Sequence, residues 1–188
     1  METKNIMIVG VGGQGTLLTS RILGGIIKAG GFDVKLSEVH GMAQRGGSVV
    51  TFVRYGEKVY EPIVEEGQAD VLIAFERLEA LRYAHFLKKD GVMIVNDLRM
   101  DPMPVSIGAA QYPENIIENL KKKHQVISLD AQALAKEIGN ARVFNTIIIG
   151  VAAKRMDFAK EDWLKVIEET VPQKTIEINT RAFEAGYA

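Results

Sequence analysis

Short apolar runs that end in glycine or a turn, each followed by apolar residues at helical spacing, set the rhythm of most of the chain. Asn5–Val9 is such a run and predicts a buried first strand. Leu17, Leu18, Ile22, Ile26 and Ile27 recur at the helical period, which predicts a helix from Gln14 to Ala29 ended by Gly30-Gly31. A second strand is expected over Asp33–Val39, with Val34, Leu36 and, less clearly, Ser37 and Val39 pointing inward. Ser48–Tyr55, rich in β-branched and aromatic residues, reads as a third strand, and the Tyr55-Gly56-Glu57 turn makes Lys58–Val64 its expected hairpin partner. Val71–Phe75, Val92–Asn96 and Gln125–Leu129 are further buried strands, with helices expected over Leu78–Lys88 and Pro113–Lys123. The two prolines of Asp101–Pro104 are expected to interrupt regular structure. From Ala131 onward the pattern is helical, over Ala131–Ile138, Asn145–Met156, Glu161–Val171 and Ile178–Tyr187.

Strands alternating with helices imply an α/β fold: a Rossmann-like, doubly wound, mostly parallel sheet with an added β-hairpin and a C-terminal helical extension. The length of 188 residues suits a single domain over residues 1–188, with the extension starting near residue 140.

Composition narrows the chemistry. The chain is 47% hydrophobic and 25% charged with a formal net charge of −1, as expected for a soluble protein and with no footprint for nucleic acid or a polybasic membrane anchor. No apolar run reaches the ~18 residues of a membrane span, and the N-terminus lacks the apolar core of an export signal, so a cytoplasmic location is expected. There is no cysteine, which excludes disulfides, thiolate-held iron–sulfur clusters and cysteine nucleophiles on this chain. His40, His85 and His124 are far apart and lack ligand spacing, so no metal site is expected.

Two motifs carry the candidate chemistry. Gly10-Val11-Gly12-Gly13-Gln14-Gly15 fits G-x-G-x-x-G between the first strand and the first helix. There Gly10 permits a tight turn, Gly12 close backbone approach to a phosphate, and Gly15 tight helix–strand packing, while the helix N-terminus offers unpaired N–H groups to an anion. The same pattern also serves as a tight turn without ligand. A nicotinamide dinucleotide needs a carboxylate after the second strand; Glu38 is near that place, but Val39–Gly47 does not resemble an adenosine pocket. The second motif, Glu38-Val39-His40-Gly41-Met42-Ala43-Gln44-Arg45-Gly46-Gly47-Ser48, gathers a carboxylate, an imidazole, a carboxamide and a guanidinium between glycines. Arg45 suits a two-pronged grip on a phosphate or carboxylate, or an internal ion pair with Glu38 that shapes the loop. His40 suits a proton carrier or a structural hydrogen bond.

With GVGGQGTLLTSRIL, SEVHGMAQRGGSVVTFVRYG and ADVLIAFERLEALRYAHFLKKDGVMIVND in this order, the chain resembles the gamma domain of the 2-oxoacid:acceptor oxidoreductases over nearly its whole length. FERLEALR and the helical tail look most like the indolepyruvate type. The resemblance implies a subunit of an enzyme that decarboxylates a 2-oxoacid, passes two electrons to ferredoxin and forms an acyl-coenzyme A. It places thiamine diphosphate and the iron–sulfur clusters on a large alpha subunit, with no cofactor on this chain beyond a contact to coenzyme A as one option. Ferredoxin is then an indirect partner, and self-dimerisation of the isolated chain stays open. The carry-over positions are Gly10, Gly12, Gly13, Gln14, Gly15, Glu38, His40, Gly41, Met42, Gln44, Arg45, Gly46, Gly47 and Ser48; no catalytic residue is assigned. A stand-alone NAD(P)-binding oxidoreductase and a non-catalytic assembly subunit are the alternatives. Elsewhere, Glu79 and Arg82 are expected to pair on a solvated helix face or at a subunit contact, and Trp163 is expected in the core.

Overall fold

The structure, a computed structural model, describes residues 2–41, 43 and 46–188; Met42, Gln44 and Arg45 of the second motif lie outside the described residues. The chain runs β1 (Lys4–Val11), α1 (Thr16–Ala29), β2 (Asp33–His40), β3 (Ser48–Gly56), β4 (Ala69–Ala74), α2 (Arg77–Tyr83), β5 (Leu87–Asn96), α3 (Met103–Ser106), α4 (Ile116–Lys121), β6 (Gln125–Leu129), α5 (Ala131–Ile138), α6 (Phe144–Ala153), α7 (Lys160–Thr170) and α8 (Ile176–Tyr187). The described strands form one six-stranded sheet in the order β2-β3-β1-β4-β5-β6. β1, β4, β5 and β6 are parallel, and β3 lies antiparallel to both of its neighbours.

The added hairpin is therefore β2–β3, and Lys58–Val64 is not its partner. Both edges of β3 are already paired, by β1 and β2, so no edge remains for a further strand. The edge position of β2 leaves Leu36 43% and Val39 52% exposed, although Leu36, opposite Val53, points toward α1 as expected, where a Cβ on Gly24 would meet it at 3.0 Å. Three other local expectations fail. Helix α2 stops at Tyr83 and gives way to a single 3₁₀ turn, because β5 already begins at Leu87. Helix α4 starts at Ile116, since Asn115 sits in the left-handed region at φ 52°. The prolines of Asp101–Pro104 start the short helix α3, with Pro102 as its N-cap residue.

Period-two alternation divides the core between the sheet's two faces. Ile6, Ile8, Val53, Ile73 and Ile94 face α1 and the C-terminal helices, together with Ile22, Ile26, Ile147, Trp163 and Phe183. Met7, Val9, Leu72, Met93 and Val95 face α2 and α4, together with Ala80, Ile117 and Leu120. Trp163 is fully buried, edge-on to Phe158 at 6.2 Å and stacked on Phe183 at 6.0 Å.

Helices α6 and α8 cross at backbone contact. A Cβ on Gly186 would lie 1.9 Å from the Ile147 carbonyl oxygen, and one on Gly150 2.2 Å from that of Phe183. Neither obstacle is a flexible side chain, so the helices must separate to admit a methyl group. Gly186→Ala is expected to cost about 3 kcal/mol, which lowers the melting temperature by roughly 2–4 °C per kcal/mol. Gly41→Ala, which meets open space, is the control. Equal melting curves for the two variants would refute the close crossing.

Candidate functional site

The register of β1 against β3 places Val11 opposite Ser48, so the first motif leaves β1 where the second enters β3. The Gly12 N–H donates to the Gly47 carbonyl at 2.8 Å, and the Gly46 N–H approaches the Gly12 carbonyl at 3.5 Å. Both motifs stand at the C-terminal edge of the parallel strands. Chain order reverses there between β1 and β4, which is where open α/β sheets bind ligands.

The glycines share the work differently from the simple reading of the motif. Gly13 (φ 99°) and Gly15 (φ 90°) adopt left-handed backbone, which other residues resist. Gly10 is instead a close-packing position: a Cβ there would lie 2.8 Å from Gln14 Oε1 and 3.2 Å from the Phe75 Cβ. Gly15 packs against α6, where a Cβ would meet Asn145 Nδ2 at 2.4 Å. Gln14 is buried, and its side chain faces the protein: Oε1 accepts from the Val11 N–H at 2.7 Å, and Nε2 donates to the Phe75 carbonyl at 3.2 Å. Gln14 thereby ties the turn to the end of β4.

A groove of about 390 Å³ opens beside this turn, lined by Gly12, Gly13, Gly15, Thr16, Leu17, Glu38, His40 and Val49. Glu38 Oε2 accepts from the Thr51 hydroxyl at 3.1 Å and from the Thr16 hydroxyl at 3.4 Å. His40 is exposed, with Nδ1 at 3.0 Å from the Gly41 carbonyl. Gly41 and Gly46 are exposed and Gly47 is half-buried. Ser48 points to the opposite face of the sheet, where its hydroxyl donates to Glu79 Oε2 and lies 3.3 Å from the Tyr83 hydroxyl. The proposed partnership of Arg45 with Glu38 lies outside the described residues.

A buried polar cluster that the sequence reading missed lies next to the two motifs. Glu76, at 1% exposure, accepts from the Tyr112 hydroxyl at 2.5 Å and the Met100 N–H at 3.1 Å through Oε1, and from the Glu79 N–H at 2.9 Å through Oε2. A buried carboxylate needs such donors to offset its lost hydration. Burial, and then the hydrogen bond to Glu76, push the Tyr112 phenol well above its usual range. Glu79 does pair with Arg82, at 3.2 Å, but it is 4% exposed and so not on a solvated face. The position of Glu76 just after a buried strand was the available signal; its partners Met100 and Tyr112 are remote in sequence. Among the described residues, no cluster of His, Cys, Asp and Glu suits a metal ion. No described helix is long and apolar enough to cross a membrane.

Comparison with known proteins adds a second kind of finding. The family described as pyruvate ferredoxin/flavodoxin oxidoreductase matches residues 5–188. The chain is 43% identical to the indolepyruvate oxidoreductase subunit IorB of Thermococcus kodakarensis and 40% identical to that of Pyrococcus horikoshii, over 99% of this chain and 95% of each relative. It is 28% identical to the ketoisovalerate oxidoreductase subunit VorA of Methanothermobacter marburgensis over 96% of this chain, but over 35% of that longer relative. Among solved structures, the pyruvate oxidoreductase subunit PORC of Thermotoga maritima matches the fold with a TM-score of 0.74 at 24% identity, over 100% of this chain and 96% of that one. The 2-oxoglutarate:ferredoxin oxidoreductase of Magnetococcus marinus, solved with 2-oxoglutarate, coenzyme A and succinyl-CoA bound, matches with a TM-score of 0.70 at 18% identity, over 100% of this chain and 31% of that one.

Tyr112→Phe removes one of the donors to Glu76. The expected loss of stability is about 1–3 kcal/mol, together with faster amide hydrogen exchange across residues 97–112. Unchanged protection in that segment would show that the phenol–carboxylate bond does not hold it.

Proposed function

The chain belongs to the pyruvate ferredoxin/flavodoxin oxidoreductase family, and from that premise we propose that it is the small, cofactor-poor subunit of an indolepyruvate-type 2-oxoacid:ferredoxin oxidoreductase. The reaction is oxidative decarboxylation of an aryl 2-oxoacid: carbon dioxide leaves, the acyl group passes to the coenzyme A sulfur, and two electrons pass to ferredoxin. The observation that carries this reading is the 40–43% identity to two indolepyruvate oxidoreductase subunits over nearly their full length, against 28% for the ketoisovalerate relative.

Thiamine diphosphate and iron–sulfur clusters then belong to a larger partner chain. A chain without cysteine has no thiolates to hold a cluster. In a cytoplasmic enzyme of this kind, residues 1–188 act as one domain; the shared core of α1, α6, α7 and α8 supports that unity. The contribution of this chain is positional. The Gly12 N–H is taken by the Gly47 carbonyl, but beyond it the turn at Gly13 and Gly15 leads into the start of α1, a setting suited to a phosphate of coenzyme A or to a polar surface of the partner. The glycines of the His40–Gly47 loop permit equally close approach, and Arg45 supplies the cation. Glu38 stands where a dinucleotide-binding enzyme places its ribose acceptor, but Thr16 and Thr51 already engage it. That disfavours a stand-alone nicotinamide enzyme.

Co-expression with the thiamine-dependent large chain is expected to give indolepyruvate-dependent, coenzyme A-dependent ferredoxin reduction, with the small chain inert by itself. Turnover by the isolated chain, or micromolar NAD or NADP binding to it in calorimetry, would overturn the proposal. In the assembled enzyme, Gly12→Val is expected to raise the KM for coenzyme A at least tenfold with the melting temperature retained. An unchanged KM would remove the coenzyme A contact from this groove.

A further inference from the structure

Helices α1 and α6, of 14 and 10 residues, begin side by side. Gly15, the residue before α1, packs against Asn145 in the first turn of α6. A Cβ at position 15 would lie 2.4 Å from Asn145 Nδ2 and 3.9 Å from the Asn145 Cβ. Neither N-cap residue supplies a side-chain bond: Gly15 has no side chain, and Val143, which precedes α6, is apolar. The positive ends of two helices therefore meet at the glycine turn.

Asn145 brings to this junction a donor that the protein itself does not use. The residue is 5% exposed. Its Oδ1 accepts from the Thr146 N–H at 2.8 Å and from the Thr146 hydroxyl at 3.4 Å. A backbone N–H can only donate, so the atom facing Thr146 is the amide oxygen and the nitrogen is turned to Gly15. Among the described residues, Nδ2 has no acceptor. It is not sealed in either, because Trp163 Nε1 is the one fully enclosed side-chain nitrogen or oxygen without a partner among those residues. A nearly buried amide left open beside two helix starts is costly until an acceptor arrives. On the groove side of the turn, the Thr16 hydroxyl already donates to Glu38, whose negative charge disfavours an anion there. On the α6 side, the turn meets the Asn145 donor instead.

We propose that Asn145 is a phosphate-binding residue of the candidate site, and that the starts of α1 and α6 together seat a diphosphate group. The proposal rests on the reading of the glycine turn as a setting for a phosphate of coenzyme A, and it adds a contact from the C-terminal helices that neither motif contains. One helix start suits one phosphate; a second start beside it suits two linked phosphates. Coenzyme A carries such a diphosphate between its adenosine and pantetheine parts.

The test is two-dimensional NMR of the purified chain titrated with inorganic pyrophosphate, and with orthophosphate for comparison. The Asn145 side-chain amide signals and the Gly15 backbone signal are expected to move together, with half-saturation by pyrophosphate at a concentration about fivefold below that for orthophosphate. Asn145→Asp keeps the acceptor for Thr146 and replaces the donor with a negative charge. It is expected to weaken pyrophosphate binding about tenfold or more. Its melting temperature without ligand is expected to hold or rise, because a carboxylate is favoured at helix starts. If that variant does not fold, Asn145→Ser is expected to show a smaller loss of binding in the same direction. Side-chain amide signals that stay in place while Gly15 moves, equal binding by Asn145→Asp, no preference for pyrophosphate, or no binding of either anion would each overturn the proposal. Displacement of pyrophosphate by coenzyme A but not by pantetheine is the further expected result. Pyrophosphate binding that coenzyme A fails to displace would leave the Asn145 site standing and sink the coenzyme A contact instead.

Discussion

Everything at the candidate site depends on β3 lying antiparallel between β1 and β2. A plain β-α-β unit would bring β2 directly beside β1, and the end of β2, not the start of β3, would then adjoin the glycine turn. With β3 inserted, the pair Val11–Ser48 closes the ladder at the sheet's C-terminal edge, and Gly12 bonds Gly47 directly. The register is fixed by burial on both faces. Val53 turns toward α1, and Val49 lines the groove beside the start of that helix, while Val50 and Phe52 turn toward α2. A slip of one residue would exchange the two sets and send Ser48 away from Glu79. The loop between β2 and β3 is therefore held at both ends by pairing that it does not itself provide.

A second constraint acts across the sheet. Glu76 and Glu79 are buried carboxylates at the start of α2, and each is satisfied by a different segment. Glu76 takes its donors from the excursion after β5 and from its own helix; Glu79 takes one from Ser48 and one from Arg82. Buried acceptors of this kind are costly when any donor leaves, because the charge is already desolvated. That cost makes the glycine turn, the end of the second motif and the excursion behave as one body.

The repeating elements were legible because burial imposes a period. β6 and α5 fall where the apolar pattern places them, and α1, β2 and β3 differ from expectation only at their ends. What escaped was non-periodic or depended on distant partners. Lys58–Val64 has the composition of a strand, but strand formation needs a free edge, which only topology reveals. Pro102 and Pro104 read as breakers, although proline is at home in the first turn of a helix. The two motifs stand out in the sequence, whereas their internal roles do not. Whether Gln14 faces ligand or protein depends on the Phe75 carbonyl, which the sequence places far away. The burial of Glu76 is not legible locally because its main donors, Met100 and Tyr112, arrive only after another strand has been laid down.

The arrangement also bears on the contribution proposed for this chain. Proton carriers in enzymes are usually desolvated and aimed at one reacting atom. Here His40 is exposed beside its own loop carbonyl, and Glu38 is held by two threonine hydroxyls at the rim of the groove. The carboxylates that are buried, Glu76 and Glu79, are spent on holding segments together. Among the described residues, the left-handed Gly13 and Gly15 and the start of α1 bring backbone dipoles to the same edge. Such a surface agrees with the role proposed for this chain, in which it positions reactants while another chain carries the electrons.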